Sequence, residues 1–281
     1  MTDTVLRAMT NDGAFRVVVA QSTQTVRGVL EAQRVTGSTA KCFGDLVTGA
    51  VLIRETMAPN LRVQGILKGA NDSGSLVADA HPSGSTRGLV QRRREVDLDL
   101  GPGSLLQFMR SLPGGRINQG VVEVPEGGGV SEALMAYMQV SEQVVSMITV
   151  GTVQQADGIL SAGGYIVQLL PEVGRGPLMI MTERLEDFVN IDEQLRSPEF
   201  SPSWLLDQLL YGMEYTRLDE SRLDFSCWCD ELRLVSAIAS LGRAEIEELV
   251  AEGEVLEITC DYCLKEYRIA PARLRGLIAA S

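Results

Sequence analysis

Histidine is almost missing from this chain: among 281 residues there is one, His81. A single histidine excludes histidine pairs and histidine-rich metal sites, and its place in a turn makes it a solvent-facing residue. Long apolar runs are missing as well. No stretch approaches the ~20 residues that a membrane span requires, and the valine-rich segment 15–21 is too short and carries Arg16. Met1-Thr2-Asp3-Thr4 brings an acid where a targeting segment would bring bases, so the expected setting is the cytoplasm, with no membrane partner. Positive charge is scarce: 25 Lys and Arg stand against 37 Asp and Glu, a net charge of -12. That field repels phosphate backbones, and no nucleic-acid partner is expected. The basic run Arg92-Arg93-Arg94 is followed at once by Glu95, Asp97 and Asp99, the pattern of a solvated turn or strand end. The glycine clusters 127–129 and 163–164 lack the lysine and Ser/Thr of a phosphate loop and read as turns. There is no internal repeat and no low-complexity tract.

Cysteine is also sparse, but it is concentrated. Four of the five lie in the last fifth of the chain, as Cys227-Trp228-Cys229 and Cys260-Asp261-Tyr262-Cys263, thirty residues apart. In an extended segment residues i and i+2 face the same way, so a CxC presents both sulfurs to one point, and a CxxC turn does the same. Two such knuckles complete a tetrahedral zinc site with Zn–S of ~2.3 Å and neighbouring sulfurs ~3.8 Å apart. A disulfide needs ~2.05 Å, so metal and disulfides are exclusive states of the same atoms. Iron–sulfur clusters suit a CxC spacing less well. Cys227, Cys229, Cys260 and Cys263 are therefore the expected ligands of one zinc ion per chain. Cys42, far from them in sequence, is expected to pack in a buried helix.

The rest of the chain argues an α+β fold. Strand patterns cover 15–21, 61–70, 76–81, 86–91, 120–124, 144–150 and 164–170, with helices at 22–34, at 38–57 capped by Ser38, and at 131–143 capped by Ser131. From Leu178 the character changes to amphipathic helices carrying Met181, Leu185 and Phe188, then, behind a Ser203 cap, Leu205, Leu209 and Leu210. The division is an N-terminal sheet domain, 1–177, a helical linker, 178–220, and a small four-cysteine domain, 221–281, with a helix capped by Asp230 and a second ended by Gly253. So small a tail is marginal without a staple. Structural zinc supplies ~10–16 kcal/mol in peptides, more than the whole stability of most domains. Loss of the metal would unfold the tail and bare the linker's apolar stripes.

The cysteine pattern resembles that of the heat-shock protein 33 family, redox-regulated holdase chaperones. Other segments resemble it too: Tyr137 with Ser141-Glu142-Gln143; Ala162-Gly163-Gly164 with Gln168 and Pro171; Ala78-Asp79 with Gly84 and Arg87-Gly88; Leu241-Gly242-Arg243 with Glu247-Glu248-Leu249. The resemblance implies a reduced, zinc-bound, inactive form. Oxidation would release zinc and form the disulfides Cys227–Cys229 and Cys260–Cys263, after which the linker unfolds, the chain tends to dimerise, and unfolded clients are held without ATP. No residue is expected to be catalytic: the CxxC lacks a thioredoxin-like βαβ context. The other reading of the same cysteines is a permanent zinc-ribbon clamp that scaffolds a partner and never switches. The chain departs from the family pattern at Asp230-Glu231, where serine and basic residues are commoner. With Asp261 these carboxylates would crowd the site and slow oxidation.

Overall fold

The computed structural model describes residues 2–91, 97–112, 115–171 and 173–280, without the side chains of 277–280. The arginine run 92–94 lies outside them. In chain order the elements are β1 (Thr4–Thr10), β2 (Phe15–Gln21), α1 (Thr23–Gln33), α2 (Gly37–Thr56), β3 (Val63–Lys68), β4 (Ser75–Ala80), β5 (Ser85–Gln91), β6 (Leu105–Ser111) and β7 (Ile117–Glu123). Then come α3 (Val130–Tyr137), β8 (Ser146–Gln155), β9 (Gly158–Leu169), α4 (Arg175–Glu186), α5 (Ile191–Arg196), α6 (Pro202–Leu209), β10 (Tyr215–Arg222) and β11 (Asp224–Phe225). The tail holds α7 (Glu231–Ile238), α8 (Arg243–Glu252), β12 (Leu256–Thr259), β13 (Glu266–Ile269) and α9 (Pro271–Ala280). The fold is α+β, as the pattern implies.

Two sheets make the larger unit, Met1–Ser226. One runs β10-β1-β2-β9-β8 and the other β11-β5-β4-β3-β6-β7. The valine run of β2 explains the layering. Val18 and Ala20 point into a core shared with α1, α2, α3 and the six-stranded sheet. Phe15, Val17 and Val19 point the other way, into a second core closed by α4, α5 and α6. A strand buried on both faces loses the apolar–polar alternation and becomes a continuous apolar run. Helix α2 is buried all round from Phe43 to Ile53 for the same reason, since it sits inside the first core.

The helices of segment 178–209 lay Met181, Leu185, Ile191, Leu195, Phe200, Leu205 and Leu209 on the five-stranded sheet, against Val17, Val19, Tyr165 and Val167. Several local expectations are corrected. Residues 215–222 form a strand rather than the end of a helical linker: β10 pairs antiparallel with β1, from Thr4↔Arg222 to Thr10↔Tyr215. Its side chains are nearly all exposed, so neither face leaves a periodic trace. Strand β1 stands where the sequence pattern predicts none. Helix α6 is capped by Ser201, which accepts from Trp204 N, and not by Ser203. Ser131 accepts from Val150 N while Gly129 stands at the N-cap of α3. Ser38 lies inside α2 and donates to Asp97. Gly163 and Gly164 are strand residues, where a Cβ would lie 2.6 Å from Ala20 O and 2.4 Å from Thr149 O.

The second unit is Cys227–Ser281. Its core is small: Ile238, Ile246, Ile269 and Leu274, flanked by Leu234, Val235, Leu249, Val250, Leu256 and Ile258. The compact units meet between Ser226 and Cys227, six residues beyond the 220/221 boundary drawn from the sequence.

Candidate metal centre

Strand β11 ends at Phe225, and Ser226 N donates to Thr86 O, so the chain leaves the larger unit immediately before the first knuckle. Cys227 and Cys229 follow between β11 and α7, outside any helix or strand. Asp230 then opens α7, its Oδ1 accepting from Arg233 N at 2.7 Å, as a cap should. The second knuckle sits between β12 and β13, which pair antiparallel from Leu256↔Ile269 to Thr259↔Glu266. Its turn closes through Cys260 N to Lys265 O at 2.9 Å and Leu264 N to Cys260 O at 2.8 Å. Leu264 takes the left-handed conformation, with φ of 57°.

The knuckles bring the four predicted sulfurs together. All lie within 4.8 Å of one another. Cys227 Sγ is 3.8 Å from Cys260 Sγ, and Cys229 Sγ is 3.4 Å from Cys263 Sγ. These are the spacings of four thiolates around a tetrahedral ion, far above a disulfide bond, and all four thiols are free. A donor set of four sulfurs suits zinc. Burial opposes ionisation of Cys229, but hydrogen bonds from Tyr267 and the neighbouring thiols outweigh it and bring the thiol down to about 7. Burial and the same neighbours push Cys263 up to about 12. Those hydrogen bonds favour the thiolate at Cys229, the form in which a cysteine binds a metal.

The acids expected to crowd the site are partly answered by cations. Asp230 caps α7 and lies 3.4 Å from Arg233, and Glu231 lies 3.5 Å from Arg273. Cys42 stands apart, packed against the main core with its thiol pushed up to about 12 by burial. His81 is half-buried rather than solvent-facing, with Nδ1 2.8 Å from Ser83 Oγ. Tyr267 is the site residue that sequence reasoning missed. Its hydroxyl lies 3.1 Å from Cys229 Sγ and 3.0 Å from Cys229 O. An aromatic on the strand leaving a CxxC is the only trace it leaves in the sequence.

Among the described residues no helix is long and apolar enough to cross a membrane. A family model described as Hsp33 protein matches residues 3–270. A protein of Thermoanaerobacter sp. (strain X514) named 33 kDa chaperonin is 28% identical over 291 residues, covering 99% of this chain and 98% of its own. One of the same name from Syntrophotalea carbinolica is 27% identical over 290 residues, covering 99% of this chain and 100% of its own. The crystal structure of a 33 kDa chaperonin (heat shock protein 33 homolog) from Thermotoga maritima matches with a TM-score of 0.83 at 20% identity, over 100% of this chain and 99% of that one. At that identity the structural likeness speaks to the fold alone.

Proposed function

The chain belongs to the Hsp33 protein family, and from that premise we propose that it is a redox-regulated, ATP-independent holdase of the cytoplasm, and not an enzyme. Cys227, Cys229, Cys260 and Cys263 are the ligands of one zinc ion in the reduced form. Bound there, zinc holds the two knuckles together and keeps four sulfurs as thiolates. Oxidation joins Cys227 to Cys229 and Cys260 to Cys263. In each pair the two sulfurs give up two electrons as the S–S bond forms, and one peroxide takes them with two protons, its O–O bond breaking to leave two waters. The sulfurs then offer no thiolate to a metal, and a tail whose core is one small cluster around four buried aliphatic residues loses its staple.

The observation that carries the proposal is the convergence of four free thiols within 4.8 Å. The second core supports the remainder. The linker segment 178–220 is the proposed releasable part, because its helices α4, α5 and α6 cover an apolar sheet face. Undocking them would bare Phe15, Val17, Val19 and Val167 together with the helices' own stripes. Such a surface fits unfolded clients and a second oxidised copy. The three-part division 1–177, 178–220 and 221–281 is proposed in this functional sense.

The test uses reduced protein with its zinc content measured, then peroxide at mild heat. Zinc release with new suppression of client aggregation supports the switch. Metal retained, or released with no gain in holding, supports instead a constitutive zinc-ribbon interaction module.

A further inference from the structure

Tyr267 sits on β13, four residues past Cys263, paired with Ile258 of β12, and is 8% exposed. The ring is fixed from one side by Lys265, whose Nζ is 4.9 Å from its centroid. Its hydroxyl reaches not the knuckle on its own strand but the other one, 38 residues away, at Cys229. A phenol has one hydrogen to donate, while the Cys229 carbonyl and an ionised Cys229 sulfur can only accept. That hydrogen is therefore divided between two acceptors on the same residue.

Two physical consequences follow. The link fastens the first knuckle to the strand that leaves the second, independently of any ion between them. Donation to the sulfur also withdraws charge from it, and charge on a thiolate is what attacks an oxidant. We propose that Tyr267 is a positioning residue that sets the oxidation threshold of the centre, fastening Cys229 in place and damping the reactivity of its sulfur. The inference rests on the reading of the four sulfurs as a zinc site. Groups that orient metal ligands in this way are often as consequential as the ligands.

The experiment compares full-length parent and Tyr267→Phe, which keeps the ring and removes only the hydroxyl. Both are loaded in the reduced state with cobalt(II) for spectroscopy and with zinc for release. In the variant the sulfur-to-cobalt charge-transfer band should move to lower energy while the tetrahedral ligand-field bands persist. Zinc affinity in chelator competition should fall about tenfold, and peroxide-driven zinc release should quicken severalfold. A 3,5-difluorotyrosine placed at 267, a stronger O–H donor, should shift the band and the release rate the opposite way. A structural role alone would not produce that reversal. Bands and release rates identical in all three proteins overturn the inference and leave the zinc site standing. Absence of tetrahedral bands in the parent overturns the zinc site itself, and the inference with it.

Discussion

The ammonium of Lys41, on α2, lies 3.4 Å from the carboxylate of Asp192, on α5. It is an ionic tie between a helix of the main core and a helix of the proposed linker. The same ammonium lies 3.5 Å from Asp45, one turn along α2. One cation thus serves two carboxylates. Asp45 is buried, and its Oδ1 has no hydrogen-bond partner among the described residues.

Burial, with Asp192 adding to it and Lys41 opposing, raises the Asp45 carboxyl from its ordinary 3.8 to about 7. The folded state therefore holds a proton that the unfolded chain has lost. Stability from this group is full below about 4, falls as pH rises, and is gone above about 7. Asp45→Asn should remove the dependence, and its gain over the parent should be larger at pH 8 than at pH 5, by on the order of 2–4 kcal/mol. Urea unfolding at the two pH values checks this. A gain of equal size at both would show that Asp45 does not titrate between them.

Arg7 of β1 reaches in two directions. It donates to Glu55 through Nε, at 2.6 Å, and through Nη2, and also to Asp219, at 3.3 Å, and Ser221, at 2.6 Å, on β10. Glu55 keeps a bond from Arg54, at 3.0 Å. Arg7→Met should cost about 2–4 kcal/mol, because it leaves a buried carboxylate half-answered. Amide exchange in residues 215–222 should quicken more than in β2. Uniform quickening across the sheet would deny Arg7 its particular hold on β10.

Leu264 pays for its left-handed backbone without the freedom of glycine, and its side chain is 41% exposed. Leu264→Gly should stabilise the tail by about 1 kcal/mol, seen as a higher melting temperature of the zinc-loaded protein by circular dichroism of the tail transition. An unchanged or lower midpoint would mean that the exposed leucine contributes packing that outweighs its strain.

The metal centre was legible because four sulfurs in two short spacings leave little freedom: the CxC and CxxC fix the geometry locally, and the structure had only to bring two knuckles together. The fold class was legible from the apolar runs of β2 and α2, whose all-round burial is written in their composition. What stayed hidden depends on partners distant in sequence. Strand β10 is polar on both faces and exists through its backbone bonds to β1, more than 200 residues away. Ser201, Gly129 and Thr36 stand where Ser203, Ser131 and Ser38 were expected to cap, since a helix start is settled by the preceding chain's backbone and not by the nearest serine. The hydroxyl of Tyr267 meets Cys229 only through the pairing of β12 with β13. Its role in the sequence was that of an ordinary strand residue.

The most direct measurement is peptide-resolved amide exchange of full-length protein, reduced and zinc-loaded, against the same protein after peroxide has released the metal. Protection in residues 227–281 should collapse on zinc loss, and that of α4, α5 and α6 should fall with it, while β2 and α2 stay protected. A tail that keeps its protection with zinc gone and disulfides formed would contradict the switch.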